Sequence, residues 1–316
     1  MTAYEEKTAE EEMTAYEVYK NSICNIPDFL SKYLELDIMQ RLKDISLFCG
    51  MDYASPYMYY FKYPISRYDH SLNVALITWK LTHDKKQTLA ALFHDVSTPV
   101  FSHVIDYMNG DYCTQETTED KTREVLLSSN ELLDYLNEDN IDINEVINFK
   151  DCSVVDLHRP ALCADRIENI IGAGMSWVNV VDLNTAIEIL DDLTLAKNEN
   201  NKEEIAIKHV AIAEYVTYIN DCINEATHSN SDTYMMILLA DIVRKVIEDG
   251  YIIYDDLFRL TEHEFIKMIE DYLPYNYELA DMWHTFKNVE KPSKQYNIEV
   301  KDMTLNPLVG GSRLHR

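Results

Sequence analysis

An all-α fold, a helical bundle with a helical C-terminal extension and a short terminal β-like segment, is what this chain of 316 residues predicts. Three observations carry that expectation. Only seven glycines and eight prolines punctuate the chain, too few for a sheet protein rich in tight turns. Apolar residues make up 47%, enough for a sizeable core and too many for disorder. Beyond Val181, apolar residues recur at helical spacing almost without a break.

Residues 1–26 read as an acidic arm. Met-Thr-Ala-Tyr-Glu occurs at Met1 to Glu5 and again at Met13 to Glu17 around a glutamate-rich spacer, a composition expected to be solvated and partly helical. The main domain spans 27–180. Between Pro27 and Leu47, Leu30, Tyr33, Leu34, Ile38, Leu42 and Ile45 recur as in one core helix. The next stretch, MDYASPYMYYFKYPISRYDH, breaks periodicity at Pro56 and Pro64 and clusters tyrosines with Phe61. Aromatic packing over a helix entrance is its plainer reading; stacking a base at a pocket mouth is the functional one.

His70 opens a helix in which it shares a stripe with Val74, Ile77 and Leu81, so it points inward. Two His-Asp pairs follow, in opposite contexts. His83-Asp84 lies between a helix end and Lys85-Lys86, where water and a helix terminus satisfy it, and it reads as a surface turn. His94-Asp95 ends the apolar run Leu89, Ala90, Ala91, Leu92 and Phe93, where an unpaired carboxylate costs several kcal/mol or takes up a proton. A metal ion is the economical partner. Pro99 suits the first turn of a helix through Val104 to Met108 that carries His103. Glu119 to Leu136 reads as two helices around Ser128-Ser129-Asn130, and Asn144 to Phe149 as a short one. In LHRPALCADRIENIIG, Asp165 shares a helix face with Ala161 and Leu162, with Pro160 in the first turn, giving a second inward carboxylate.

The extension, 181–290, is read as helices over Leu183 to Leu195, Glu203 to Glu225, Thr233 to Glu248, Asp255 to Tyr272 and Tyr277 to Lys287, with a capped start at Ser231. Residues 291–316 form a tail in which Tyr296, Ile298 and Val300 alternate as in a strand.

Charge limits the partners. With 55 acidic and 28 basic residues the formal net charge is −27, so the average surface repels long nucleic acid and anionic membranes. A small phosphorylated substrate remains open, because a divalent ion and a few cations can reverse the sign inside one pocket. Six scattered cysteines without a C-x-x-C pair, and no signal peptide or long apolar run, point to reduced thiols and a cytoplasmic protein, with a homo-oligomer left open. Cys163 reads as a buried structural thiol. His158, His209, His228, His263, His284 and His315 share no spacing that suggests a second site.

Two imidazoles and two carboxylates on separate helices make a mixed N/O donor set suited to Mn, Fe, Co, Ni, Zn or Mg. On His70, His94-Asp95 and Asp165 the chain resembles the HD-domain metal-dependent phosphohydrolases, whose signature is His, His-Asp and a distant Asp. HDVSTPVFSH and CADRI are similar to segments of the deoxynucleoside triphosphate triphosphohydrolase-like branch, in a bacterial form with unassigned substrate. The resemblance covers about residues 60 to 175. It implies an HD domain over 27–180, His70, His94, Asp95 and Asp165 as metal ligands, and His103 near the phosphates. It also implies hydrolysis of a nucleotide or related phosphoester by metal-activated water.

Two departures stand out. Thr98 occupies the place of a catalytic histidine, and TQETTEDKTREVL offers Glu116, Glu119 and Asp120 where another histidine is found. Glu116 and Glu119, three apart on an expected helix face with Asp120 turned away, are therefore candidates for proton transfer. Asp95 is counted among both ligands and catalytic residues. Arg67 and Arg166 flank the ligands, and their forked guanidinium groups suit phosphate. A non-catalytic nucleotide sensor or binding protein and an HD-type di-iron oxygenase are the alternatives.

Overall fold

The computed structural model describes residues 13–117, 119 and 121–315. The first copy of the N-terminal repeat lies outside them. The second copy leads into a helix, Ala15–Ile23, opened by a capping box between Thr14 and Glu17. Tyr16, Tyr19 and Ile23 on that helix are buried, so this part of the arm belongs to the core instead of standing in solvent. The expected helix from Pro27 to Leu47 is instead a run of short turns, Asp28–Leu30, Ser31–Leu34, Asp37–Gln40 and Arg41–Asp44. Leu36 is extended within it. Its apolar residues still point inward, because spacings of three and four suit successive short turns as well as one long helix.

Two antiparallel helices, Arg67–Thr82 and Lys85–Phe93, form the scaffold of the site. His83 caps the first in a left-handed conformation (φ 52°), and the Asp84 carboxylate accepts from the backbone N–H groups of Lys86 and Gln87 at 2.8 and 3.3 Å. The second His-Asp pair is thus a helix-hairpin turn. After Phe93 the chain folds through tight turns, with Phe101 and Ser102 left-handed, into Val104–Asn109. Pro99 therefore lies in the turns ahead of that helix. Likewise Ala161 and Leu162 precede the Ala164–Ser176 helix that carries Asp165. Thr122–Ser128, Asn130–Glu138 and Ile143–Ile147 match the expected short helices.

The Ala164–Ser176 helix packs between Arg67–Thr82 and Val210–Thr227, and Asn230–Glu248 packs on Val104–Asn109. Ser229, not Ser231, caps Asn230–Glu248. One continuous buried core joins these helices. The fold is all-α in composition, 57% helix against 5% strand.

The tail does hold short strands, as expected, but at 308–313 and not at Tyr296 to Val300, and a hairpin precedes them in the chain. A hairpin, β1 (Leu193–Lys197) and β2 (Glu203–Ile207), pairs Leu193 with Ile207 across the turn 198–201. β3 (Leu308–Val309) adds parallel to β2, and β4 (Ser312–Arg313) antiparallel to β3. The buried Glu204 carboxylate accepts from Arg313, tying the tail to the hairpin. Tyr296, Ile298 and Val300 lie outside any ladder, each partly buried against the core between exposed neighbours. Among the described residues no helix is long and apolar enough to cross a membrane.

Candidate metal centre

The Arg67–Thr82 helix begins at Ser66, whose hydroxyl accepts from the Asp69 N–H in a capping box. That start fixes the helical phase and turns His70 inward, 1% exposed. Its Nδ1 bonds the buried carboxylate of Glu168, and its Nε2 lies 3.1 Å from Asp165 Oδ1. His94, at the end of Lys85–Phe93, has Nδ1 2.7 Å from the Ala91 carbonyl. A carbonyl only accepts, so Nδ1 carries a hydrogen and Nε2 is the nitrogen left to face an ion. That Nε2 is buried and has no protein hydrogen-bond partner. It lies 3.7 Å from Asp165 Oδ1 and 3.6 Å from Asp95 Oδ2.

His70, His94 and Asp165 each bring a ligand atom within 4.8 Å of the others. Asp95 Oδ2 is 3.7 Å from His70 Nε2, so the fourth expected ligand borders the same space. Two imidazoles and carboxylate oxygens, one nitrogen an orphan aimed inward, fit a divalent ion; Glu168 and the Ala91 carbonyl hold the rings from behind.

The electrostatics agree with that fit. Burial works against charge on His70, yet Glu168 and Asp165 outweigh it and raise its pKa to about 10. His94 is also raised, burial being opposed chiefly by Asp95 and Asp165. Burial alone would lift Asp95 and Asp165, but the imidazoles, with Arg67 beside Asp95, hold both carboxyls below the ordinary range. A ligating imidazole must surrender its Nε2 proton. Because His70 holds that proton up to about pH 10 in the metal-free chain, adding metal at pH 7 is expected to release protons. Affinity is then expected to rise with pH below that value. Calorimetric titration with Mn²⁺ in buffers of different ionisation enthalpy checks this; a buffer-independent heat would contradict it.

Residues 67–152 match the HD domain family model. The chain carries an HD domain. The matched span includes His70, His94 and Asp95, while Asp165 lies past its end. HD domains form a metal-dependent phosphohydrolase superfamily. A relative, the "Uncharacterized protein YdhJ" of Bacillus subtilis (strain 168), is 24% identical over 246 residues, covering 78% of this chain and 72% of that protein.

A cavity of about 240 Å³ is lined by His70 and Asp165 together with Ile223 and Thr227 of Val210–Thr227 and Met236 of Asn230–Glu248. His103 lines it, with Nδ1 2.9 Å from the buried carboxylate of Asp106. That bond leaves Nε2 as the nitrogen available to the cavity. Arg67 lines it too, but its Nη1 is paired with Asp95 Oδ2 at 2.7 Å. Arg166 does not; its guanidinium donates to the carbonyls of Ala161 and Leu157 and braces the turn before its own helix. The expected phosphate role for Arg166 is therefore replaced by a structural one. Glu116 and Glu119 sit in a turn instead of on a helix face, held by Lys150 at 3.7 and 2.6 Å, and neither lines the cavity. Burial raises the Glu119 pKa against the pull of Lys150. Asp120 is outside the described residues. Thr98 is buried, its carbonyl accepting from Arg41 at 2.9 Å.

Asp156, Cys163 and Asp165 form a second compact group. Burial pushes the Cys163 thiol up to about 11. Sequence reasoning missed Glu168, Asp106, Arg159, Lys301 and Asp232, and it set aside His228, which lines the cavity. Glu168 had a signal, an acid between Ile167 and Ile170 three residues after Asp165. Arg159 and Lys301 lie in irregular segments that only the folded chain brings together.

Proposed function

We propose that this chain is a metal-dependent phosphohydrolase acting on a nucleotide or deoxynucleotide by attack of water on a phosphorus centre. One observation carries the reading: the His70–His94–Asp165 group borders the same cavity as His103, Arg159 and Lys301. A divalent ion held by His70, His94, Asp95 and Asp165 would lower the pKa of water and polarise a phosphoryl oxygen. Arg159 donates to the carbonyls of Met303 and Thr304, and although burial and Arg166 lower its pKa to about 10, it stays charged at neutral pH. With Lys301 it supplies positive charge for phosphate oxygens in an otherwise acidic protein. His103, oriented by Asp106, donates a proton from Nε2 to the leaving oxygen. Arg67 acts through Asp95, holding that carboxylate ionised and in place. The similarity of HDVSTPVFSH to the triphosphohydrolase-like branch favours a nucleotide over other phosphoesters.

The test is a nucleotide panel assayed with Mn²⁺, Co²⁺, Ni²⁺ and Mg²⁺, followed by variants on whichever substrate turns over. His103→Ala is expected to lose about 10²- to 10⁴-fold in kcat with metal content unchanged, the range of a general acid. Glu116→Gln and Glu119→Gln are expected to stay within about threefold, well short of that range. A full-rate His103→Ala together with a crippled glutamate variant would move the proton donor to the Lys150 side.

A further inference from the structure

One carboxylate in the cavity lining is not used by the proposed hydrolysis. Asp232, third residue of Asn230–Glu248 and 9% exposed, lines the cavity. An acid at this helix position commonly bonds back to the cap, but here it turns inward and accepts from Tyr59 Oη at 2.7 Å. Among the described residues no cation pairs with this carboxylate. Burial raises its pKa to about 7, against the hydrogen bond from Tyr59, so an acid is kept where desolvation disfavours its charge. Beside it stands a wall of flat rings. Tyr59 and Phe61 stack at 5.7 Å and 11°, Phe61 and Phe48 at 4.2 Å, and Trp177 lies 6.2 Å from Tyr59. The cavity lining thus combines candidate metal ligands, cations, flat rings and a buried carboxylate.

We propose that Asp232, held by Tyr59, is the specificity-determining contact for a ring presenting two adjacent N–H donors, the edge that guanine carries and adenine lacks. The ring lies along the aromatic wall with its phosphate toward His70 and Asp165. A carboxylate accepts such a pair of donors with both oxygens, Oδ1 retaining a lone pair beyond the Tyr59 bond, and the pair favours the ionised acid. This assignment rests on the nucleotide reading above.

Calorimetry on the full chain loaded with Mn²⁺, with GMP, IMP and AMP as probes, tests it. GMP is expected to bind at least about tenfold more tightly than AMP, with IMP, which keeps the ring N–H but lacks the amine, between them. Asp232→Asn is expected to bring the GMP-to-AMP ratio within about threefold, because one acceptor becomes a donor. Tyr59→Phe, which leaves the acid but frees it, is expected to lower the ratio less and serves if the first variant unfolds. Equal affinities in the parent, or a ratio unmoved by both variants, overturns the assignment. Hydrolysis of bis(p-nitrophenyl) phosphate by the parent separates the two readings. Turnover without base preference sinks the Asp232 subsite alone; guanine-selective binding without turnover upholds the subsite and sinks the hydrolase.

Discussion

Replacing His94 by alanine is expected to abolish retained metal and, with it, hydrolysis. The imidazole is placed by the Ala91 carbonyl on one side, and its other nitrogen is buried without a protein hydrogen-bond partner. Removing it deletes one of three clustered ligand atoms and leaves Asp95 and Asp165 crowded around a single imidazole. Outer partners of metal ligands typically change affinity about 10- to 100-fold, so a lost ligand should exceed that. Glu168→Gln supplies the comparison. The shorter-ranged influence of a neutral amide would still reach His70 through a hydrogen bond but would no longer stabilise charge on the ring, and an intermediate loss is expected. Metal analysis after dialysis checks the series; full occupancy in His94→Ala would remove His94 from the ligand set.

His70, His94 and Asp95 were legible as candidates because each contradicts its surroundings. A His-Asp pair closing the run Leu89 to Phe93, and a histidine on the stripe of Val74 and Ile77, are expensive placements, and all are buried in the fold. Phase along one helix suffices to read them. The same reasoning separated His83-Asp84 from the site, since a left-handed cap and an N-cap aspartate are what a turn between two helices needs. Elsewhere the local signal was ambiguous. Leu193 to Ile207 is as apolar as a helix, and only the asparagines around 198–201 mark its hairpin. Tyr296, Ile298 and Val300 alternate because each tucks against the core between exposed neighbours, a pattern that does not require a partner strand. Arg67 and Asp232 were beyond any local rule. Whether an arginine meets phosphate or a neighbouring carboxylate, and whether a helix-start acid caps or turns inward, depends on what another element brings within about 3 Å.

Arg67→Met is expected to destabilise the metal-free protein strongly and to make its stability depend on metal. The guanidinium and the Asp95 carboxylate form a buried pair at 2.7 Å with side chains 8% and 11% exposed. Breaking such a pair from one side typically costs about 3–5 kcal/mol, because the remaining charge is left without a partner. Methionine fills much of the volume, which isolates the loss of charge from the loss of packing. The sign with pH follows from Asp95, whose carboxyl Arg67 helps to hold below its ordinary range. A depressed acid contributes stability above its unfolded pKa of about 3.9 and loses it as pH falls through the folded value. In the variant that contribution shrinks, so its deficit should be present at pH 7 and narrow under acid. A divalent ion held by Asp95 and Asp165 would supply the missing counter-charge, so Mn²⁺ should raise the variant's melting temperature more than the parent's, in addition to the ordinary linkage of ligand binding. Thermal unfolding of both proteins in chelator and in Mn²⁺ decides the matter. If the variant melts with the parent in chelator, Asp95 does not depend on Arg67, and the arginine returns to the substrate as a phosphate ligand.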